Sequence, residues 1–247
     1  MTDLSTFTPN MRVAIIGASG GIGAAMVDAL VANTQVSQVF ALSRQGQSHS
    51  SPKVLNLTYD FTNEGSIMAA CEAMREAGTF DLIITATGLL QGEGIAPEKN
   101  SRALSYEGFQ HSFLINTVGP AMTAKHMLPL LTKENKSVFA ALSARVGSIS
   151  DNRLGGWYAY RASKSALNMV IKTLAVEYGR NYNNSAIIGL HPGTVNTDLS
   201  KPFQSQVPAG ELFTPQQSAA YLLNVVNQVR PDQSGIVFDW AGKEVIP

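Results

Sequence analysis

The sequence predicts an α/β protein, a single domain with a doubly wound parallel sheet of about seven strands and helices on both faces. Short apolar runs alternate with longer stretches of helical periodicity along the 247 residues, which is typical of repeated strand–helix–strand units. The first apolar run, 11–16, ends at a glycine-rich turn that leads into a helix. We therefore expect a short polar lead at 1–10 and one domain at 11–247.

The composition argues against several classes of protein. Equal numbers of basic and acidic side chains, 18 of each, give a formal net charge of zero, so bulk electrostatics favour neither a nucleic-acid nor a membrane partner. No apolar run is long enough to span a membrane, and 1–10 lacks the features of a signal peptide. The single cysteine, Cys71, excludes an intrachain disulfide and a multi-cysteine metal site. We expect a cytoplasmic protein with no metal.

The turn after the first strand contains Gly17, Gly21 and Gly23 and precedes a helix at 24–32. Glycines allow the backbone to turn tightly and to approach a pyrophosphate, which the N–H groups and dipole of the helix N-terminus stabilise. This order predicts a dinucleotide site, and an ordinary tight turn between strand and helix is the alternative.

The second strand, 36–42, is followed by Ser43 and Arg44, where the adenosine ribose of a dinucleotide would lie. An acidic side chain here would bind the ribose hydroxyls of NAD, whereas an arginine can bind the 2′-phosphate of NADP. The sequence therefore favours NADP(H) over NAD(H), with a solvated loop arginine as the alternative.

Two further strands are expected at 54–57 and 80–85. After the first of them, Thr62 can cap the next helix and Asp60 can face the adenine of a cofactor. After the second, Gly88 would allow a ligand to approach the strand end closely.

A long helical stretch is expected at 105–131, after a loop at 89–103. Asn116 lies among apolar residues in its middle and needs a buried partner, either within a site or on a neighbouring strand. Pro120 is expected to kink this helix, and such kinks often accompany a site.

Tyr160 and Lys164 form the most informative pair in the chain. They follow the fifth strand, 137–142, and lie about one turn apart in a predicted helix, so both side chains leave the same helix face. The ammonium group favours the phenolate and is expected to lower the pKa of the tyrosine toward the working pH. Such a tyrosine can exchange a proton with an alcohol or carbonyl oxygen. Ser143 falls at the end of the fifth strand, on the edge where ligands bind in parallel sheets.

The rest of the chain supplies a sixth strand at 186–190, a loop at 196–213, a helix and a last strand at 236–238. The helix is expected to begin with Thr214 as N-cap and Pro215 at its first position. The loop would lie beside a strand end, which suits a mobile lid over a substrate.

Together these residues resemble the short-chain dehydrogenase/reductase family over nearly the whole chain, from 11 to about 238. Tyr160 to Lys164 matches the family's Tyr-x-x-x-Lys motif, and Gly17 to Gly23 matches its cofactor turn. The segments 144–149 and 238–242 are similar to the branch of C-factor and sniffer-type carbonyl reductases. The family has a Rossmann-type fold, consistent with the predicted sheet.

The resemblance implies an oxidoreductase that transfers a hydride between a nicotinamide and a carbonyl or alcohol carbon of a small molecule. It implies that Tyr160 is the general acid or base and that Lys164 lowers its pKa and holds the nicotinamide ribose. It also implies that Ser143 binds the substrate oxygen, that Asn116 holds a relay water, and that the protein is a homodimer or homotetramer. The implied cofactor contacts are Gly17, Ser19, Gly21, Ile22, Gly23, Arg44, Asp60, Phe61, Ala86, Gly88, Tyr160, Lys164, Pro192, Gly193, Thr194 and Thr197.

The chain departs from the family pattern in three places. The sequence Thr-Ala-Thr-Gly at 85–88 replaces the usual Asn-Asn-Ala-Gly, and Gly20 stands where NADP-binding members often carry a basic residue. The third departure concerns which residue occupies the position of the family's serine. Counting from the strand start gives Ser143, and counting back from the next glycine gives Ala144. We choose Ser143, with Ser148 as a distant second.

These departures support a rival hypothesis, an NADP(H)-binding signalling or scaffold protein with little or no turnover. Trp157, Phe203, Phe213 and Leu154 suggest an apolar part of a pocket, and exposed structural roles fit them equally well.

Overall fold

The structure, a computed structural model, describes residues 2–46, 49–92, 94–208 and 210–247. The main strands, in chain order, are β1 (Met11–Ile16), β2 (Val36–Ser43), β3 (Val54–Thr58), β4 (Leu82–Thr85), β5 (Ser137–Leu142), β6 (Ser185–His191) and, after two short strands β7 (Thr194–Val195) and β8 (Leu212–Phe213), β9 (Val237–Asp239). The α-helices are α1 (Gly21–Val31), α2 (Glu64–Ala77), α3 (Tyr106–Phe113), α4 (Gly119–Met127), α5 (Tyr158–Tyr178) and α6 (Pro215–Gln228).

The main sheet confirms the predicted fold class. Its seven strands are all parallel and lie in the order β3-β2-β1-β4-β5-β6-β9. The chain runs outward from β1 in one direction and then, from β4, in the other. The crevice above the carboxyl ends of β1 and β4 is therefore the topological switch point, where open parallel sheets bind ligands.

Two apolar layers bury the two faces of the sheet. On one face the side chains of α1 and α6, such as Met26 and Leu222, pack against alternate strand residues such as Val13. On the other face α2, α4 and α5 pack against the intervening residues, among them Phe40 and Phe139. Because both faces are covered, the central strands β4 and β5 are buried along their whole length and are nearly continuous apolar runs, as expected for a parallel sheet.

The long helix before β5 is interrupted at the predicted place. A π-helical turn, Leu114–Val118, separates α3 from α4, and Pro120 follows in the first turn of α4. Proline has no N–H, so the main-chain oxygen of Asn116 lacks its regular α-helical partner. Such π turns occur mostly as single turns and often at functional sites.

Two local predictions were wrong. Asn63, not Thr62, caps α2, because its Oδ1 accepts from the N–H groups of Gly65 and Ser66. Thr62 instead donates its N–H and hydroxyl to the Asp60 carboxylate. The segment predicted as a loop at 196–213 also contains regular structure, since β8 pairs with β7 in a separate two-stranded sheet.

The start of α6 was predicted correctly. Thr214 is the N-cap, Pro215 occupies the first turn, and Gln217 completes a reciprocal capping box. Across the described residues, no helix combines the length and apolar character needed to cross a membrane.

Candidate active site

A cavity of about 480 Å³ lies above the carboxyl ends of the central strands. Tyr160 and Lys164 reach it from the first two turns of α5, and the glycine-rich turn after β1 forms its opposite side. The segment that follows β6 covers it with Thr197, Leu199 and other residues. The fold thus gathers residues that lie far apart in the chain around one space.

Burial controls the electrostatics of the tyrosine and lysine pair. Lys164 is almost completely buried, its Nζ donates to the main-chain oxygen of Leu142 at 2.8 Å, and burial lowers its pKa to about 7. Burial raises the pKa of Tyr160 to about 12. The expected lowering of the tyrosine pKa is therefore not found. Lys164 Nζ lies 5.9 Å from the Tyr160 ring centroid, and desolvation of both groups outweighs their attraction at this distance.

Asn116 is completely buried and its side chain is fully used. It accepts from the N–H of Leu89 and donates to the oxygen of the same residue, both at 2.8 Å. Its amide nitrogen also lies 3.2 Å from the hydroxyls of Ser112 and Ser163. The side chain therefore pins the loop after β4 to the helices, which leaves only the main-chain oxygen of Asn116 for a water relay.

The glycine-rich turn forms a tight cradle. Gly17 has φ of 85°, and a Cβ there would lie 2.9 Å from the main-chain oxygen of Ala86. A Cβ at Gly23 would lie only 2.2 Å from the oxygen of Gly17. Helix α1 begins at Gly21 without any side-chain cap. Its first N–H groups therefore face the cavity, and the turn fits the pyrophosphate of a dinucleotide.

The serine at the end of β5 is held by α5. Ser143 lines the cavity, and its Oγ donates to Oδ1 of Asn168 at 2.5 Å. Asn168 lies one turn beyond Lys164, and its amide nitrogen is 3.5 Å from the oxygen of Gly147. Ala144 also lines the cavity but has no hydroxyl. Ser148 is not among the lining residues and accepts from the N–H of Asp151 instead.

The family model described as short chain dehydrogenase matches residues 11–208. The chain belongs to the short-chain dehydrogenase family. It is an oxidoreductase of that family, and its predicted resemblance to C-factor and sniffer-type proteins is confirmed by the relatives it matches.

Two curated relatives of this dehydrogenase illustrate the range of the family. One is a 1-hydroxy-2-glutathionyl-2-methyl-3-butene dehydrogenase of Rhodococcus sp. (strain AD45), 32% identical over 177 residues, which cover 71% of this chain and 73% of the relative. The other is C-signal of Myxococcus xanthus, 34% identical over 142 residues, which cover 58% of this chain and 80% of C-signal.

Solved structures show the same fold. The NADPH-bound carbonyl reductase from chicken fatty liver superposes with a TM-score of 0.84 at 22% identity, covering 98% of this chain and 96% of that one. Carbonyl reductase Sniffer of D. melanogaster gives a TM-score of 0.82 at 22% identity, covering 97% of this chain and 100% of that one.

Most of the site residues proposed for this dehydrogenase meet at the cavity. Those that line it are Ser19, Gly21, Ile22, Ala86, Gly88, Ser143, Tyr160, Lys164, Pro192, Gly193, Thr194 and Thr197. The others lie outside its lining: Gly17, Gly23, Arg44, Asp60, Phe61 and Asn116. Gly17 and Gly23 shape the cradle from behind. The ring of Phe61 packs on α4, where a Cβ at Gly119 would lie 2.2 Å from it.

Of the described residues that line the cavity, three charged or titratable ones were not among the predicted site residues: Arg145, His191 and Asp198. His191 ends β6, directly before the predicted Pro192 contact, so its position at a strand end was the available signal. Arg145 donates to the buried carboxylate of Asp239 at 3.1 Å and lies 3.8 Å from that of Asp151.

His191 should weaken the fold at acidic pH. Burial, with Arg145 nearby, lowers its pKa from 6.5 to about 4, and its Nδ1 is buried with no hydrogen-bond partner among the described residues. Between about pH 4 and pH 6.5, His191 binds a proton in the unfolded chain but not in the folded one, so the free energy of unfolding falls as the pH falls. At about pH 5 this group alone should cost about 2 kcal/mol of unfolding free energy relative to about pH 8.

Urea unfolding of His191→Asn at the two pH values tests this. The difference in unfolding free energy between about pH 8 and about pH 5 should be about 2 kcal/mol smaller in the variant than in the parent protein. An equal difference in both proteins would show that His191 does not titrate across folding.

Trp157, the residue before α5, also lines the cavity. Its φ of 52° places it in the left-handed region, which costs a residue with a Cβ about 1–2 kcal/mol. Phe203, on the covering segment, lines the cavity as well. Leu154 is highly exposed, and Phe213 packs behind Gly193 rather than lining the cavity.

Proposed function

We propose that the protein reduces the carbonyl group of a small molecule with NADPH, or oxidises the corresponding alcohol with NADP+. The observation that carries this proposal is that Tyr160 and the buried Lys164 both line a cavity whose other side is the glycine-rich turn. When bound, the nicotinamide would supply or accept the hydride. The protein's own contribution is to hold both molecules and to move a proton.

Tyr160 is the proton donor in reduction. Its raised pKa keeps the phenol protonated at neutral pH, so it can donate to the carbonyl oxygen as negative charge develops there. In oxidation the same oxygen takes the proton back from the alcohol. Lys164 can gain or lose a proton near neutral pH, because its pKa is about 7, and can therefore compensate the change of charge at the site.

Ser143 and Asn116 have supporting roles in this proposal. Ser143 donates a hydrogen bond to the substrate oxygen after its hydroxyl turns away from Asn168. Asn116 holds a water through its main-chain oxygen and so connects Lys164 with solvent. Lys164 and Asn116 are neighbours, which supports this role. Lys164 Nζ and Asn116 Oδ1 both lie next to Gly88, at 3.6 Å and 3.7 Å from the position that a Cβ there would take.

The adenosine half of the cofactor would lie beyond the cradle, near the ends of β2 and β3. Hydrogen bonds from Thr62 are the main cause that lowers the pKa of Asp60, and the nearby Arg44 guanidinium lowers it further. The exposed guanidinium of Arg44 is available to pair with a 2′-phosphate. We propose NADP(H) over NAD(H) on this basis.

Arg44→Ala should therefore raise KM for NADPH about tenfold or more and change KM for NADH by less than about twofold, because only NADPH carries the 2′-phosphate. Steady-state kinetics with both cofactors measure the two values. Gln45→Ala, the next residue of the same loop, is the matched control. Equal losses with both cofactors would assign Arg44 a structural role.

The proposed reaction is tested by following loss of the reduced nicotinamide absorbance with a panel of aldehydes and ketones. Turnover of at least one carbonyl, faster with NADPH than with NADH, is expected. Tight NADPH binding with no turnover of any of them would favour the rival hypothesis of a cofactor-binding signalling or scaffold protein.

A homodimer or homotetramer is also part of the proposal. Apolar side chains that are largely exposed in the single chain lie on α5, among them Met169 and Val176, and on the π turn, where Leu114 and Val118 are exposed. Exposed apolar groups on neighbouring helices support pairing with a second copy.

A further inference from the structure

Three successive residues directly before α5 adopt left-handed backbone conformations. Gly155 and Gly156 have φ of 64° and 66°, and Trp157 continues them with φ of 52°. Glycine takes this conformation freely, but a bulky aromatic residue does not, so Trp157 is held there by its surroundings. The restraint is visible: its N–H donates to the main-chain oxygen of Glu98 at 2.6 Å. Backbone strain of this kind is concentrated at functional sites.

The conformation places the indole inside the cavity, between the proton donor and the covering segment. The Trp157 ring centroid lies 6.3 Å from that of Tyr160 and 4.9 Å from that of Phe203, with interplanar angles of 69° and 62°. Phe203 belongs to the 3₁₀ helix Lys201–Gln206, which covers this end of the cavity. One side chain therefore touches both the reacting tyrosine and the cover.

The cavity also has apolar lining, since Val146 and Val207 line it together with Trp157 and Phe203. Besides Lys164, the described lining includes two charged side chains: Arg145, which pairs with the buried carboxylate of Asp239, and Asp198, whose carboxylate disfavours an anionic substrate. A further aromatic ring at this place would gain from packing edge-to-face or offset against the indole.

We propose that Trp157 determines substrate specificity: its indole forms the wall that binds an apolar ring on the carbonyl substrate, and Phe203 closes over that ring. This proposal rests on the proposed function for the reaction itself. The substrate class is a ketone or aldehyde whose carbonyl reaches Tyr160 while an attached aryl group contacts Trp157.

Two methyl ketones that differ by one ring provide the kinetic test, 4-phenyl-2-butanone and 2-butanone. The parent protein should prefer the phenyl ketone, and Trp157→Asn should lower the ratio of the two kcat/KM values about tenfold, mainly through KM for the phenyl ketone. Asparagine adopts the left-handed conformation more readily than most residues, so this variant keeps the turn. Trp157→Phe, which retains an aromatic ring, should recover part of the ratio.

A ratio in Trp157→Asn within about twofold of the parent ratio, with 2-butanone still reduced, would overturn the specificity role and leave the proposed reaction standing. The same result in Phe203→Ala would remove Phe203 from the proposal.

A binding measurement keeps the proposal testable even if no ketone is reduced. The chain has two tryptophans, so Trp240→Phe leaves Trp157 as the single indole reporter. With NADP+, which cannot reduce a ketone, 4-phenyl-2-butanone should quench or shift the Trp157 emission saturably, whereas 2-butanone should not. No response to either ketone, or equal responses to both, would overturn the proposal independently of turnover.

Discussion

Tyr160→Phe should reduce carbonyl turnover by about a thousandfold or more while NADPH binding changes less than about threefold. The hydroxyl is the only group removed, and in the proposed reaction it supplies the proton that the substrate oxygen must receive. The ring remains, so its contact with Trp157 is preserved. Single-turnover kinetics measure the first quantity, and a fluorescence titration with NADPH measures the second.

Tyr158→Phe is the matched control, because Tyr158 precedes Tyr160 by two residues in the same helix, is partly exposed and does not line the cavity. It should retain most of the parent activity. Carbonyl reduction retained by Tyr160→Phe would remove Tyr160 from the role of proton donor, whatever the result for the control.

Gly23→Ala should abolish measurable NADPH binding and lower the free energy of unfolding by about 1–3 kcal/mol. A methyl group there would meet the main-chain oxygen of Gly17 at 2.2 Å and its carbonyl carbon at 2.9 Å. Both contacts are with backbone, so neither can be relieved by rotating a side chain. The start of α1 would have to move away from the turn, and the N–H groups that face the cavity would move with it.

Gly20→Ala in the same turn provides the comparison. Its φ is −76°, and a Cβ there would lie 3.4 Å from the oxygen of Gly17. Unfolding by urea should show little change for this variant, and NADPH titration should show a smaller loss than for Gly23→Ala. Comparable binding by both variants would mean that close packing of the turn does not shape the cofactor site.

The order of elements was predictable because each carries a local signal. The apolar run 11–16 and the glycine turn after it fix β1 and α1, and Thr214 with Pro215 fixes the start of α6. Helix caps were less predictable where two capping residues are adjacent. Thr62 and Asn63 are both suitable, and the Asp60 carboxylate engages Thr62 and leaves the cap to Asn63. That choice depends on a tertiary arrangement that local propensity does not contain.

The site residues show the same contrast between local sequence signals and tertiary arrangement. The spacing of Tyr160 and Lys164 put them on one helix face, and they do share the cavity. Their pKa values depend on desolvation, which spacing does not report, so the expected direction for Tyr160 was wrong. The role of His191 was missed for a similar reason, since its burial and its proximity to Arg145 arise only when the ends of β5 and β6 meet. The assignment of Ser143 stays a prediction.

The all-parallel sheet has a consequence for how quickly the chain reaches its native state. Within the described seven-stranded sheet, no two neighbouring strands are joined by a hairpin, and the central pair, β1 and β4, brings together Val13 and Leu82, nearly seventy residues apart. Such contacts are favourable only after a large loop has closed, so they form slowly. Until they form, strands such as Leu82–Thr85 have unpaired apolar edges that invite association between chains. Refolding from urea should consequently yield more native protein at low chain concentration than at high.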